Sequence, residues 1–189
     1  MDKVDLRRIL LKQRQSLSVT QWREKSDRIC QHLQQSPVFT QAQTILAYFS
    51  FRQEPDLSPL FKNTNYNWGF PRCVGKSLQW HTWKPGDSLQ VGTYGITEPH
   101  AHTPSIEPGE VDLILVPCVA ADYDRYRLGY GGGYYDRLLS SPHYAHKPTI
   151  GIMFDFAYLS QIPRETWDKP LKYIVTDNPH YLTGKMRND

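Results

Sequence analysis

The richest chemistry in the chain lies between Asp122 and Asp136, in the run Asp-Tyr-Asp-Arg-Tyr-Arg-Leu-Gly-Tyr-Gly-Gly-Gly-Tyr-Tyr-Asp. Four glycines, Gly129, Gly131, Gly132 and Gly133, fall within five residues. Glycine gives the backbone access to positive φ and lets it approach a ligand closely. Amide groups at the start of a following helix then point at an anion. Arg127 adds a permanent positive charge in a planar fork that matches phosphate. Asp136 adds a hard oxygen ligand of the kind that holds Mg²⁺ beside phosphates. The run lacks the Gly-Lys-Ser/Thr of a P-loop, and Tyr134 stands where the dinucleotide fingerprint needs a small residue. On physics alone two readings stay open: a phosphate-binding loop, or a strand–turn–helix corner in which glycine only permits tight packing.

Other reactive types are scattered. Lys3 and Arg7 are four apart and share one helix face, an arrangement that ordinarily means a solvated surface. Glu54 stands in a loop, where a carboxylate is ordinarily exposed. Asp136 also suits a charge that interacts with a helix dipole. His100 and His102 form His-x-His in a Pro-rich loop without a third ligand nearby, so exposed histidines are expected. Cys30, Cys73 and Cys118 are odd in number, far apart and free of any CxxC pair, which argues against a disulfide framework or a zinc site and for reduced thiols. No Ser/His/Asp or Cys/His nucleophile motif is present.

These residues need a scaffold. Helical spacing over residues 3–16 predicts a helix docked by Leu6, Ile9 and Leu10. Ser18 and Gln21 predict a capping box opening a second helix, with Trp22, Ile29 and Leu33 facing the core and Ser36-Pro37 ending it. Residues 44–49 read as a buried strand, 57–62 as a short helix, and 68–83 as two or three strands. Residues 84–110, rich in Pro, Gly, Thr and His, read as loops. Residues 111–117 form the clearest strand, and 149–153 and 173–176 read as two more. A helix starting in or just after the glycine cluster should end near Ser140. Strands alternating with helices predict an α/β fold: a mostly parallel central sheet flanked by helices, Rossmann-like and three-layered, in a single domain over 1–189.

Composition narrows the function. A length of 189 residues suits one core. A net charge of +3, with no basic run and no aromatic RNP pattern, argues against a nucleic-acid binder. The charged N-terminus is not a secretory signal, and no apolar run reaches the ~18 residues of a membrane span. A soluble, cytoplasmic protein is expected, a monomer or weak homodimer that binds neither nucleic acid nor membrane. The 12 Tyr and 5 Trp could stack on a heterocycle or simply fill the core.

The stretch Arg127-Leu-Gly-Tyr-Gly-Gly-Gly-Tyr-Tyr-Asp-Arg137 closely resembles the signature of the 5-formyltetrahydrofolate cyclo-ligases, also called methenyltetrahydrofolate synthetases. Shorter resemblances run along nearly the whole chain: Lys3-Val-Asp-Leu-Arg7, Tyr48 to Asp56, Phe70-Pro-Arg72, Gly95 to Pro99, and Asp168-Lys-Pro-Leu leading to Ile174-Val-Thr-Asp177. The resemblance implies an α/β fold, ATP as co-substrate with Mg²⁺, and a reduced folate, 5-formyltetrahydrofolate, as substrate. It implies that Lys3, Arg7, Arg127, Gly129, Gly131, Gly132 and Gly133 bind ATP. Asp136 would serve Mg²⁺; Glu54, Phe49, Tyr134 and Tyr135 would meet the folate; Arg127, Tyr134 and Asp136 would act in catalysis. Two positions depart from the pattern: Arg125 stands where the family often has glycine, and Gly132 where some members carry lysine. Arg125 could then supply phosphate-binding charge from another direction. An alternative within the same fold is a nucleotide-binding regulator without turnover.

Overall fold

The computed structural model describes residues 1–178; residues 179–189 of the expected domain lie outside the described ones. Asp2 caps the first helix, its carboxylate accepting the Val4 and Asp5 amides, and α1 runs over Lys3–Gln15. Such a cap supplies the acceptors that the first turn lacks. Ser18 and Gln21 form the expected capping box for α2, Val19–Gln35. Ser36 closes that helix and Pro37 opens one further turn, α3, Pro37–Thr40. There the missing N–H of proline costs nothing.

The strands that follow are β1 (Thr44–Leu46), β2 (Asn67–Val74), β3 (Ser77–Thr82), β4 (Leu89–Val91), β5 (Thr97–Pro99), β6 (Leu113–Pro117), β7 (Ala120–Asp122) and β8 (Arg127–Leu128). Helix α4 (Tyr134–Ser140) precedes β9 (Thr149–Ile152), β10 (Tyr158–Leu159) and β11 (Tyr173–Val175). Six strands form one sheet in the order β11-β9-β6-β1-β2-β3. Every neighbouring pair is parallel except the β2–β3 hairpin. Strand β6 shows why the sequence there reads as an unbroken apolar run. Leu113 and Leu115 pack with Ile29 and Leu33 of α2 on one face. Ile114 and Val116 pack with Leu10 of α1 and Leu138 and Leu139 of α4 on the other. A parallel strand covered on both sides needs no polar face.

Several elements differ from expectation. β1 has three residues rather than six: Ala47 N still donates to Gly69 O at 2.8 Å, and the chain then leaves the sheet. The expected helix at 57–62 is a single 3₁₀ turn, Leu60–Lys62. The Pro/Gly-rich segment contains an antiparallel hairpin, β4–β5, turned through Tyr94 (φ 63°) and Gly95 (φ 72°). A second, three-stranded sheet, β10-β7-β8, leads into the glycine loop. On α1 the buried residues are Leu10 and Arg14, while Ile9 is 46 % exposed. Leu6 and Leu10 therefore dock the helix as expected, Ile9 does not, and Arg14 is buried on the inward face beside Leu10, with Lys3 and Arg7 part-buried.

Candidate active site at the glycine loop

The approach to the loop is built by Asp122, which is fully buried. Its Oδ1 accepts the Asp124 and Tyr126 amides at 3.1 and 3.0 Å, and its Oδ2 accepts Arg164 Nε and Nη2 at 3.0 and 2.7 Å. These bonds hold the β7–β8 turn, in which Arg125 takes a φ of 69°. That left-handed conformation favours glycine. The Arg125 side chain donates through Nε to Leu171 O at 3.1 Å and has no hydrogen bond to the glycine loop among the described residues.

The loop itself is ringed by guanidinium groups. A Cβ at Gly129 would stand 2.7 Å from Arg127 Nη1, one at Gly133 2.6 Å from Arg137 Nη1, and one at Gly131 3.7 Å from Arg7 Cζ. Gly131 and Gly133 also carry φ values of 98° and 69°. Arg7 Nε donates to Gly129 O at 2.7 Å, and Arg137 Nη2 to Gly132 O at 2.9 Å. Three arginines on a bare backbone make a cradle for a multiply charged anion. Arg127 is the most enclosed: its side chain is 5 % exposed, its Nη2 meets Asp136 Oδ1 at 2.9 Å, and its buried Nε has no hydrogen-bond partner among the described residues. Lys3 is turned elsewhere, with Nζ 2.6 Å from Asp168 Oδ2.

Glu54 is not a surface carboxylate. It is 4 % exposed, its Oε2 accepts the Phe51 amide at 3.1 Å, and its carbonyl accepts Trp22 Nε1 and Ser50 Oγ at 2.8 and 2.7 Å. Burial pushes its carboxyl up to about 7, against the pull of Arg14 and the Phe51 amide. Phe49, just before this loop, stacks on Phe70 at 4.1 Å and meets the edge of Trp83 at 5.1 Å. Tyr134 and Tyr135 diverge, as successive helical residues do by about 100°. Tyr134 donates to Gly75 O at 3.1 Å in the β2–β3 turn. Tyr135 lies beneath Arg127 and beside Trp80, and its buried hydroxyl has no hydrogen-bond partner among the described residues.

Among the described residues no group of three or more His, Cys, Asp or Glu side chains could hold a metal alone. Mg²⁺ is usually carried by one or two carboxylates together with phosphates. Asp136, half-exposed and, among the described residues, bonded through Oδ1 alone, fits that use. The sequence reading overlooked Arg14, Tyr130 and Arg137. Arg137 closes the signature run itself, and Arg14 extends the spacing of Lys3 and Arg7 along the same helix face.

The sequence model of the 5-formyltetrahydrofolate cyclo-ligase family matches residues 1–177. The 5-formyltetrahydrofolate cyclo-ligase of Escherichia coli K12 is 28 % identical over 179 residues, covering 89 % of this chain and 96 % of that one. That of Haemophilus influenzae is 28 % identical over 177 residues, covering 90 % and 95 %. The NMR structure of Aquifex aeolicus 5,10-methenyltetrahydrofolate synthetase superposes with a TM-score of 0.84 at 33 % identity, over 96 % of this chain and 93 % of that one.

Proposed function

Since the chain belongs to the 5-formyltetrahydrofolate cyclo-ligase family and is thereby a ligase of folate chemistry, we propose that it converts 5-formyltetrahydrofolate to 5,10-methenyltetrahydrofolate with cleavage of ATP to ADP and phosphate. The observation that carries the reading is the ring of Arg7, Arg127 and Arg137 around the glycine loop, with the buried carboxylate of Glu54 on the neighbouring loop. The alternative of a regulator without turnover is not favoured, because the named relatives are enzymes.

The formyl oxygen attacks the γ-phosphorus and ADP departs with the bonding electrons, leaving an N5 iminium phosphate. N10 then attacks the former formyl carbon and loses its proton, and phosphate leaves as the ring closes. Phosphoryl transfer of this kind depends on in-line positioning and on cancelling charge at the phosphate oxygens. Arg7, Arg127 and the loop amides would hold the triphosphate, and Arg137 would close its far side. Glu54 would accept an N–H from the pterin. Tyr135 and Tyr134 would line the cleft between the substrates, with Phe49 at its edge. Mg²⁺ held by Asp136 and the phosphates would neutralise the transferring group. No helix among the described residues is long and apolar enough to cross a membrane, and the reading carries a cytoplasmic place of action.

The test is turnover of 5-formyltetrahydrofolate with ATP and Mg²⁺, followed by absorbance of the methenyl product. Chelation with EDTA should abolish it, and Asp136→Ala should raise the Mg²⁺ concentration needed for half-maximal rate. Undiminished activity in excess EDTA would remove the metal from the scheme. On α1, Arg7→Ala should raise the KM for ATP roughly ten- to a hundredfold, the range of a lost charge-assisted bond. Lys3→Ala should do less, because Lys3 already has Asp168 as a partner. Parental ATP kinetics for Arg7→Ala would detach α1 from the nucleotide site.

A further inference from the structure

Arg14 is a charged residue that α1 buries to 3 % exposure. A guanidinium cannot shed its proton at working pH, so burial makes its partners informative. Nε donates to the carbonyl of Arg52 at 3.1 Å. Nη2 donates to the hydroxyl of Tyr130, whose ring centre lies 5.5 Å from Cζ. Nη1 is buried and has no hydrogen-bond partner among the described residues. Arg52 belongs to the loop that carries Glu54, and Tyr130 to the glycine loop. One fork thus holds both, and the rings of Phe51 and Tyr130 meet beside it at 6.2 Å.

The first of these loops needs holding. Arg52 and Gln53 have φ values of 48° and 56°, two successive left-handed residues that are not glycine. Such backbone persists only where its surroundings enforce it. Arg14 on the Arg52 carbonyl, with Gln53 Nε2 on the Leu17 carbonyl at 3.3 Å, is the enforcement visible here. Glu54 is the next residue.

We propose that Arg14 is a positioning residue that fastens the 50–56 loop to the glycine loop and so sets Glu54 against the phosphate cradle. The proposal rests on the reading of the site given above. It also fixes the charge around Glu54. Facing that carboxyl are Arg14 from α1, Tyr130 from the glycine loop, Tyr48 beyond β1, Tyr135 on α4 and Cys118 after β6. Burial raises the three tyrosines and raises Cys118 to about 12, so all four are neutral near pH 7. Arg14 is the charged member of the set, and it draws the carboxyl down.

Arg14→Met keeps the apolar stem and deletes the fork. In the ligand-free protein, hydrogen exchange should speed up at amides of both 50–56 and 129–133. The KM values for 5-formyltetrahydrofolate and ATP should both rise, by roughly tenfold or more. The acid limb of kcat/KM for the folate should move to higher pH, since Glu54 has lost its cation. Arg14→Lys should keep the acid limb of the parent while exchange still rises in at least one loop, because a single ammonium cannot fork to two partners. Parental exchange in both loops, or an unmoved acid limb in Arg14→Met, overturns the proposal. If Arg14→Met does not fold, exchange in Arg14→Lys decides, and parental protection in both loops overturns it. If the parent itself fails to turn over the folate, the functional reading falls while the exchange result still decides the role of Arg14.

Discussion

Arg127→Met should lower kcat by about 10²–10³-fold with the fold intact, the usual effect of removing a preorganised group aimed at developing charge. The expectation follows from where the guanidinium sits. Its only carboxylate partner among the described residues is Asp136, whose side chain is 38 % exposed. Losing Arg127 therefore leaves an anion that water can solvate, not a stranded buried charge. The Nε atom has no hydrogen-bond partner among the described residues, so part of its bonding capacity is open to a phosphate. Arg127→Lys should recover little, because an ammonium lacks the planar fork. Rates at saturating ATP and folate, with melting temperature as the control, decide it. A methionine variant with the kcat of the parent would reduce Arg127 to a packing partner of Tyr135.

Glu54→Gln should separate activity from stability. The carboxyl is raised from 4.5 to about 7 by burial, so the folded state holds its proton more tightly than the unfolded one. Between those values the unfolded chain ionises while the folded one does not, and stability falls as pH rises. Above about 7 the whole cost is present, roughly 3 kcal/mol at 1.36 kcal/mol per unit. Glutamine never ionises. The variant should melt above the parent at pH 8, and the gap should close as pH falls toward 4. Folate kcat/KM should drop roughly ten- to a hundredfold, with ATP binding near normal, as a charged hydrogen bond is lost. In the parent that parameter should fall on acidification through about 7, and in the variant it should be flat. Unchanged folate kinetics would return Glu54 to a structural role.

The strands that were legible in the sequence were those covered on both faces, such as β6, because an apolar run with no polar face has few other uses. The capping box of α2 was legible because two side chains at fixed spacing do one job. The β4–β5 hairpin was not: its strands are three residues each, too short for the alternation of Leu89-Gln90-Val91 to stand out. The shortness of β1 was hidden because Ala47 and Tyr48 stay buried after the ladder ends. The glycine loop was legible as a motif, but the guanidinium groups of Arg7 and Arg137 beside it were not, because they approach from a distant helix and from the following one. Arg14 was lost to the prior that a helical arginine is solvated. Only tertiary structure shows that Arg14 is buried on the inward face beside Leu10.

The fastening of α1 has a consequence for how the chain is made. Lys3, Arg7 and Arg14 are bonded to partners 165, 122 and 116 residues later. At ~5–20 residues per second of synthesis, α1 waits on the order of ten seconds for the loop that receives it. At 13 residues it is too short to hold its shape alone in water. Closing so long a loop is entropically slow, and contacts this distant in sequence belong to the late stages of folding. Helix α1 is thus made well before the loop that receives it, and its long-range bonds can close only once that loop has emerged.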